Sequence, residues 1–296
     1  MKEKWFLGPA ITGSGELNEP TGIAVDSLGN VYVADTVYGR IYKFTNDGKL
    51  IIKWGSIGRG GNEFNFPSGI AIDSSDNLYV ADTGNGRIQK FTSDGKLIAK
   101  WGYLRGDNEL NDPHSIAVDS SNNVYISEPS DGRIKKFTND GKLITKWGSD
   151  GSGDGEFLSP GGIAIDSSGN VYVADSSNHR IQKFTSDGKF ITKWGSKGTG
   201  DGEFNFPSGI AIDSSDNIYV VDISNHRIQK FTNNGKFITK WGSKGSGDGE
   251  FNFPKGIAID SSDNIYVTDT SNHRIQAFRA SVSTPAPPAI TDEPKE

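Results

Sequence analysis

The chain alternates between short apolar runs and polar stretches rich in Gly, Ser, Asp and Asn. One stretch reads GIAIDSSDNIYVVDISNHRIQKFTNNGKFITKWG and contains four such runs, GIAID, NIYVV, RIQKF and KFITKW. Short runs rich in β-branched and aromatic residues predict β-strands, and no window shows the i, i+3, i+4 apolar stripe of a helix. The pattern therefore predicts an all-β protein made of short strands.

The polar breaks between the runs carry turn signals. After the first run, the fourth position of DSSDN and its variants is Gly, Asp or Asn, which are residues that tolerate positive φ. These positions are Gly29, Asp76, Asn122, Gly169, Asp216 and Asp263. After the third run comes Asp-Gly or Asn-Gly, the signal for a type I′ hairpin. Each four-run unit is therefore predicted to be an antiparallel meander.

The unit occurs six times. The aspartate that ends the first run recurs every 46 or 47 residues, at Asp26, Asp73, Asp119, Asp166, Asp213 and Asp260. A period in the forties with four strands per unit is typical of a propeller, in which the sheets are arranged radially. We therefore predict a six-bladed β-propeller of four-stranded antiparallel blades over residues 1–279.

The tryptophans predict how the ring closes. A Trp-Gly pair ends the fourth run of five units, at Trp54, Trp101, Trp147, Trp194 and Trp241. The sixth unit stops after its third run, at Phe278, and the N-terminal MKEKW ends in one more tryptophan, Trp5. We therefore expect the N-terminus to supply the outer strand of the last blade. Residues 280–296 are Pro-rich and lack a packing pattern, which predicts a flexible tail or linker.

Composition narrows the function classes. The net charge of −6 and the pI near 5.3 disfavour nucleic-acid binding, since such proteins usually carry a basic surface. Cysteine is absent, which excludes disulfides and thiolate metal sites. No apolar run approaches the ~20 residues that a membrane-spanning helix needs. We expect a monomer without a cofactor, extracytoplasmic if the chain belongs to a longer secreted or surface protein and cytoplasmic otherwise.

The runs GIAIDSSDNIYV and SNHRIQKF resemble NHL repeats, which are named for the Asn, His and Leu of their consensus. Isoleucine replaces the leucine in the last three units, as in Asn178, His179 and Ile181, and the first three units read VYGRI, GNGRI and SDGRI. The resemblance covers residues 1–279 and implies a six-bladed propeller that acts as a binding scaffold. Some NHL proteins bind RNA, some lie outside cells as sensor or adhesive domains, and related propellers include metal-dependent lyases and lactonases.

An acid lies five residues before an arginine in every unit. This spacing spans the loop from the second to the third strand, where a carboxylate and a guanidinium can meet as a bidentate pair. The sixfold recurrence favours a structural role. The pairs are Asp35 with Arg40, Asp82 with Arg87, Glu128 with Arg133, Asp175 with Arg180, Asp222 with Arg227 and Asp269 with Arg274.

Two other repeated features raise the question of a metal site. His179, His226 and His273 match the number of ligands in a three-histidine zinc site, but their loops lie one blade apart, so we expect local packing and hydrogen bonding. The Asp- and Gly-rich loops from fourth to first strand lack the EF-hand spacing. Their recurrent glutamates are interpreted as structural, and they are Glu16, Glu63, Glu109, Glu156, Glu203 and Glu250. We therefore predict no metal.

One position breaks the repeat. The residue before the glycine of GIAID enters the channel mouth, and around the ring it is Thr21, Ser68, His114, Gly161, Ser208 and Lys255. Blades three and six oppose each other, so His114 should face Lys255. Nearby, Tyr38 and Glu128 also depart from their repeats. Variation against a constant background is where a grafted function would lie, so these residues form the candidate ligand site. Neutral drift at exposed positions is the alternative and explains the variation more simply.

The sequence therefore predicts a non-enzymatic scaffold that binds another protein or a small extended ligand at the channel mouth. Near-identical blades suit a scaffold, whereas an enzyme needs a few unique, convergent polar groups. Two alternatives stay open. A metal-dependent lyase or lactonase would act in the channel, where only His114 is unique. RNA binding is disfavoured by the acidic balance and by the lack of interleaved aromatic and basic residues.

Overall fold

The computed structural model describes residues 5–7, 17–102, 106 and 108–280, and it contains six four-stranded antiparallel sheets. In each sheet the strands follow chain order, except that the sixth sheet takes its outer strand from the N-terminal segment. The first strand of each sheet contacts the first strands of both neighbouring sheets, so the sheets are arranged radially about an axis. The prediction of an all-β, six-bladed propeller is confirmed.

Each blade has an inner strand at the axis, followed by a second, a third and an outer strand. The strands are Pro20–Val25, Val31–Asp35, Arg40–Phe44 and Leu50–Trp54 in blade 1; Pro67–Ile72, Leu78–Asp82, Arg87–Phe91 and Leu97–Trp101 in blade 2; Ile116–Val118, Val124–Glu128, Arg133–Phe137 and Leu143–Trp147 in blade 3; Pro160–Ile165, Val171–Asp175, Arg180–Phe184 and Phe190–Trp194 in blade 4; Pro207–Ile212, Ile218–Asp222, Arg227–Phe231 and Phe237–Trp241 in blade 5; and Ile257–Ile259, Ile265–Asp269, Arg274–Ala280 and Trp5–Leu7 in blade 6.

Short 3-10 helices follow the second strands of blades 2 to 6, at Thr83–Asn85, Pro129–Asp131, Ser176–Asn178, Ile223–Asn225 and Thr270–Asn272. A small parallel pair, Ser56–Ile57 with Glu63–Phe64, lies in the loop that joins blades 1 and 2. We call the side of the propeller where the inner strands begin the mouth face, and the opposite side the base face. The 3-10 helices lie on the mouth face because the second strands end where the inner strands begin.

The core lies between the blades and not within any one of them. Between blades 1 and 2, for example, Tyr32 and Ile41 pack with Phe64 and Phe91. Equivalent layers join each following pair of blades, and a sixth layer between blades 6 and 1 completes the ring. Because each layer needs both neighbours, the apolar alternation along the strands stabilises the ring as a whole.

The N-terminal strand closes the ring, as predicted, but in a different register. Trp5–Leu7 runs antiparallel to the last strand, with Trp5 opposite Ala280. In blade 1, Trp54 lies opposite Ile41, at the other end of its partner strand. Trp5 is therefore not the equivalent of the other outer-strand tryptophans. Residues 1–4 and 281–296 lie outside the described residues, so the predicted tail stays a prediction.

The two tight turns of each blade explain the recurrent Gly, Asp and Asn. In the turn after the inner strand, the fourth residue has a φ of 59–82° in all six blades, as predicted. The turn after the third strand differs from the type I′ prediction. In blade 2 only Gly95 has positive φ, Thr92 N donates to Lys96 O, and the register shifts between Lys90 and Phe91. The turn is thus a three-residue hairpin with a glycine bulge.

On the base face, hydrogen bonds link the inner turns of neighbouring blades. At four of the six junctions, a serine donates through Oγ to the side chain of the left-handed residue in the next blade, over 2.7–3.1 Å. These bonds run from Ser27 to Asp76, from Ser74 to Asn122, from Ser167 to Asp216 and from Ser214 to Asp263. At the other two junctions the acceptor position is Gly169 or Gly29, which has no side chain.

Within the described residues, no helix has the length and apolar character needed to cross a membrane.

Candidate functional site

A cavity of about 350 Å³ lies on the axis at the mouth face, and we call it the mouth cavity. The inner strands converge there. A Cβ on Gly22 would lie 2.0 Å from Ser68 O, and one on Gly209 would lie 2.6 Å from Lys255 O, so these approaches require glycine. The lining includes a residue from every blade, namely Thr21, Ser68, His114, Gly162, Ser208 and Lys255.

Two of the seven predicted site residues do not line the mouth cavity. Tyr38 lies in the loop after the second strand of blade 1, where its backbone N–H donates to Asp35 Oδ1 at 2.9 Å and its side chain is exposed. Glu128 ends the second strand of blade 3 and is fully buried. The sequence placed both residues at the mouth by their position in the repeat, but the second strands end outside the circle of inner strands. They are therefore removed from the candidate site.

Blades 3 and 6, which carry His114 and Lys255, share a local structure. Their inner strands have three residues, against six in each other blade. A hydroxyl in the second strand accepts an inner-strand N–H, at 3.0 Å for Ser127 and 2.7 Å for Thr268. The same hydroxyl donates to a carbonyl of the next blade. The two unusual side chains thus stand on matching backbones across the mouth, and the charge of Lys255 acts on His114.

Hydroxyl side chains at the mouth bind neighbouring blades together. Thr21 Oγ1 lies 2.7 Å from Thr36 Oγ1 of its own blade and donates to Ser68 O of blade 2 at 3.3 Å. Ser68 Oγ lies 2.6 Å from Thr83 Oγ1 and donates to His114 O at 2.7 Å. Thr21 and Ser68 are therefore engaged in the fold, although both line the cavity.

The residue that follows the acid at the end of the second strand supplies a further link between blades. In four blades its hydroxyl donates to the carbonyl of the proline that begins the next blade's inner segment, over 2.6–2.8 Å. These donors are Thr36, Thr83, Ser176 and Thr270. Blades 3 and 5 have Pro129 and Ile223 instead. The sequence reading missed this pattern, although the change from Ser or Thr to Ile was visible in the repeats.

Three cavity-lining side chains keep polar atoms without a partner among the described residues. The Nδ1 of His114 is buried and makes no hydrogen bond. Ser208 lacks the hydroxyl neighbour that Ser68 has in Thr83, because Ile223 occupies that position. No carboxylate of the described residues pairs with Lys255 Nζ, and no carboxylate lines the cavity. A buried polar atom left unpaired costs about 1–3 kcal/mol, and among these three side chains this applies to His114 Nδ1. Ser208 and Lys255 are partly exposed, so their polar groups can bond to a ligand in the cavity.

The charge state of His114 follows from its surroundings. Protein surrounds the imidazole although part of it faces the cavity. Burial holds the pKa of His114 below its usual value of 6.5, Lys255 acts in the same direction, and Asp112 opposes them. The cavity therefore presents a neutral imidazole near pH 7, opposite the side chain of Lys255.

Apolar side chains complete the site. Phe66 is 61% exposed and lines the cavity together with Ile223. Phe66, Phe206 and Phe253 occupy the same place in their blades, directly before the first proline, and their φ values are 49–58°. Left-handed backbone is unfavourable for a bulky side chain. Glu19 and Ser159 have the same left-handed backbone at the equivalent positions of blades 1 and 4, so this conformation belongs to the repeated turn, which places the three phenylalanines on the mouth face.

The acid–arginine pairs are present in blades 2, 4, 5 and 6, with Nε–Oδ2 distances of 2.6–2.8 Å. The contact is a single Nε bond and not a bidentate pair, because the other guanidinium nitrogens serve the preceding loop. In blade 2 they donate to three loop carbonyls, over 2.6–2.9 Å. Asp82 is fully buried and accepts further bonds from Asn85 and Gln89. Each of these clusters ties a loop to its blade, which supports the structural role expected from the sixfold recurrence.

Blade 3 builds this cluster from different residues than predicted. Lys135 Nζ lies 2.7 Å from Glu128 Oε2 and donates to Glu109 O at 2.6 Å, whereas Arg133 is exposed. Lys135 stands where blade 2 has Gln89, whose side chain reaches the buried acid. A lysine at that position contacts the carboxylate directly, so the Glu128–Arg133 pairing is wrong and Glu128 pairs with Lys135. Burial raises the pKa of Glu128, and Lys135 opposes this shift.

Blade 1 also departs from the predicted pairing. Burial raises the pKa of Asp35, and the backbone N–H groups of Tyr38 and Asn18 and the charge of Arg40 oppose this shift. Asp35 accepts the backbone N–H groups of Asn18 and Tyr38, each at 2.9 Å. The charge interaction between Asp35 and Arg40 thus replaces a direct ion pair.

The three histidines of the NHL pattern make local hydrogen bonds, as expected. Each Nδ1 accepts a backbone N–H of the following blade, from Phe206 to His179 and from Phe253 to His226 at 3.2 Å, and from Glu19 to His273 at 3.1 Å. The first two also pack edge-on against those phenylalanines, with ring centroids 4.8–4.9 Å apart. Their φ values are 53–56°, at positions where blades 1 to 3 have glycine, so these bonds offset a left-handed backbone.

No cluster of three or more His, Asp or Glu side chains suited to a metal ion occurs in the part of the chain that the structure describes. The loop glutamates accept backbone N–H groups within their own loops, as Glu63 does from Gly60 N at 2.7 Å. The loop aspartate Asp154 pairs with Lys193 at 2.6 Å. Glu16 lies outside the described residues. Glu156, Glu203 and Glu250 make the same bond as Glu63, so these four carboxylates are engaged in the fold.

The model of the NHL repeat matches residues 17–44, 64–91, 157–184, 204–231 and 251–278, which are the blades other than blade 3. A search of curated proteins finds no match. The geometry described above defines the chain as a six-bladed β-propeller. With five repeats matched in five blades, the protein belongs to the NHL-repeat family.

Solved structures of similar fold include a virginiamycin B lyase from Staphylococcus aureus, which is 18% identical, with 94% of this chain and 90% of that chain covered and a TM-score of 0.63. A gluconolactonase from Xanthomonas campestris is 15% identical, with 90% and 87% covered and a TM-score of 0.69. A protein of unknown function from Bacteroides thetaiotaomicron is 16% identical, with 91% and 71% covered and a TM-score of 0.73. At these identities the similarity shows the fold alone.

Proposed function

We propose that this protein is a non-enzymatic binding scaffold whose mouth cavity receives a ligand or a segment of a partner. One observation carries the proposal, namely the contrast among the side chains at the repeated mouth position. Thr21 and Ser68 donate to carbonyls of the next blade, whereas Ser208 and Lys255, on the cavity lining with His114, have polar groups without a partner among the described residues. A concave, mostly apolar site with a few convergent polar groups is the usual form of a ligand site.

The lyase and the gluconolactonase among the structural neighbours raise the enzymatic alternative. A metal-assisted reaction needs several carboxylates or imidazoles at one place. The lining of the mouth cavity contains one imidazole and no carboxylate. This donor set supports ligand binding better than metal-assisted catalysis.

A ligand-observed NMR screen of charged and neutral fragments and short peptides tests the proposal. Ser208→Trp fills the cavity, and Ser196→Trp adds the same side chain at an exposed loop position as the matched control. We expect compounds that bind the native protein and the Ser196 variant but not the Ser208 variant, with thermal unfolding showing that both variants fold. Compounds that bind all three proteins equally would place the site elsewhere. Binding that is lost after EDTA treatment would favour the metal-dependent alternative.

A further inference from the structure

The charge of the mouth cavity has one sign. Lys255 is the charged side chain of its lining, and no aspartate or glutamate lines the cavity. Elsewhere in the described fold, partly buried lysines have carboxylate partners, as Lys90 has in Asp73 at 3.2 Å and Lys135 has in Glu128 at 2.7 Å. The ammonium of Lys255 therefore lacks the kind of partner that the fold supplies to its other partly buried lysines. An anionic group in the cavity would provide it.

A hydroxyl and an imidazole line the cavity on either side of this charge. Ser208 is in blade 5, next to the blade of Lys255, and its hydroxyl is unpaired among the described residues. His114 is in the opposite blade 3, with a buried and unpartnered Nδ1. A carboxylate has two oxygens with about four acceptor sites, so it can accept from an ammonium and a hydroxyl together.

The remaining walls are apolar. Phe66 and Ile223 line the cavity, and Ile223 takes a place where four other blades have Thr or Ser. The site therefore suits a ligand that is charged at one end and apolar along its body. A highly charged or phosphate-rich ligand would leave Phe66 and Ile223 against polar groups.

We propose that the mouth cavity binds a carboxylate that is attached to an apolar body, with the carboxylate on Lys255 and Ser208 and the body on Phe66 and Ile223. This inference rests on the proposed function and names its ligand chemistry. A free organic acid or the C-terminal carboxylate of an extended peptide with an apolar last residue can supply that chemistry. The volume of about 350 Å³ is within the range of sites for small molecules and side chains.

A proton should accompany the carboxylate. The charged groups that act on His114 are Lys255, which lowers its pKa, and Asp112, which raises it. A bound anion neutralises the effect of Lys255 and favours the protonated imidazole, so binding should take up a proton. Affinity for the carboxylate should accordingly rise as the pH falls towards the lowered pKa of His114, while the carboxylate stays ionised.

Isothermal titration calorimetry with 3-phenylpropionate and its neutral amide tests the inference. We expect the acid to bind at least about tenfold more tightly than the amide, which is the usual effect of a charge-assisted hydrogen bond. Lys255→Gln should lower the affinity for the acid by a similar factor and leave the affinity for the amide unchanged. Lys197→Gln, at an exposed position outside the cavity lining, is the matched control and should change neither. Equal binding of acid and amide, or no effect of Lys255→Gln, would overturn the carboxylate assignment.

A second experiment distinguishes a free organic acid from a peptide C-terminus as the ligand. It also distinguishes failure of the carboxylate assignment from failure of the proposed function. Tetrapeptides that end in phenylalanine, with a free or an amidated C-terminus, compete with 3-phenylpropionate if the source is a chain end. Titration of the histidine imidazole signals, with His114→Gln to identify the His114 signal, reports whether any probe occupies the cavity. Neutral probes that shift the His114 signal while acids gain nothing would keep the binding function and remove the carboxylate. No shift with any probe in the fragment and peptide screen would remove the proposed function itself.

Discussion

Blades 3 and 4 have the same four strands in the same order, yet their buried ion pairs use different residues. Blade 4 pairs Asp175 with Arg180, and blade 3 pairs Glu128 with Lys135. The NHL model matches blade 4 and not blade 3. In both blades a buried carboxylate receives a cation that also donates to loop carbonyls. The apolar alternation and the turns thus define the blade, and the polar cluster can be rebuilt from other side chains.

The largest effect is expected when the blade 4 cluster loses its acid. Asp175→Ala leaves the Arg180 guanidinium buried without a counter-charge, which should lower the free energy of unfolding by about 3–5 kcal/mol. Urea unfolding followed by tryptophan fluorescence measures the change. Asp187→Ala, at an exposed hairpin position, is the control and should stay within about 0.5 kcal/mol of the native protein. A loss below about 1 kcal/mol for Asp175→Ala would show that the buried pair does not support the blade.

Blade 3 can be converted towards the chemistry of blade 4. Lys135→Gln alone leaves Glu128 without its cation and should cost about 1–3 kcal/mol. Adding Glu128→Asp restores the acid and glutamine found in blade 4, so Arg133 can turn inward and pair. We expect a favourable coupling on the order of 1 kcal/mol in the double-mutant cycle. Additive losses would show that Arg133 cannot enter the cluster beside Pro129.

The mouth position also separates the two blades, because blade 3 has His114 where blade 4 has Gly161. The folded-state pKa of His114 lies below the unfolded value of about 6.5, so the unfolded chain binds the proton more readily. The contribution of His114 to stability is therefore present above pH 6.5 and falls as the pH drops through that value, by at most about 1.4 kcal/mol per pH unit. His114→Gln should flatten this part of the stability profile relative to the native protein, while the contributions of His179 and His226 remain. An unchanged slope in the variant would contradict the buried neutral state of His114.

The smallest expected effect concerns the links between blades. Ser176→Ala removes the hydroxyl that donates to Pro207 O at 2.6 Å and should cost about 0.5–1.5 kcal/mol. Pro129→Ala, at the same position in blade 3, removes no donor and should cost less. Thermal unfolding of the two variants side by side measures the difference. A larger loss for Pro129→Ala would mean that the proline, by restricting φ, contributes more than the hydrogen bond does.

The periodic part of the fold could be predicted from the sequence because six copies repeat the same physical requirements. The positive φ of Asp76 and its equivalents follows from residue type alone. The type of the second hairpin did not follow, because Asp-Gly fits both a type I′ turn and a type I turn with a bulge. The register of the N-terminal strand could not be predicted either, because the alignment of Trp5 with the outer-strand Trp54 rested on residue type alone.

For the candidate site, the sequence identified lining residues that vary among the blades. It missed contacts that depend on where a side chain points. His114 and Lys255 differ from the other blades at one position and do line the mouth cavity. The pairing of Glu128 with Arg133 failed because spacing alone cannot show that Lys135 points at the same carboxylate. Phe66 was overlooked because an aromatic residue before a proline does not reveal a left-handed backbone.

The serine links of the base face join the six blades into two groups of three. Bonds of this kind join blades 1, 2 and 3 and, separately, blades 4, 5 and 6, while Gly169 and Gly29 leave two seams without them. The base-face links thus define two arcs of three blades, and the two seams between the arcs are joined by the core layers and by bonds at the mouth face. His114 lies in the last blade of one arc and Lys255 in the last blade of the other. A molecule bound between these two side chains would link the two arcs. Binding at the mouth face would therefore also restrict relative motion of the arcs at the base face.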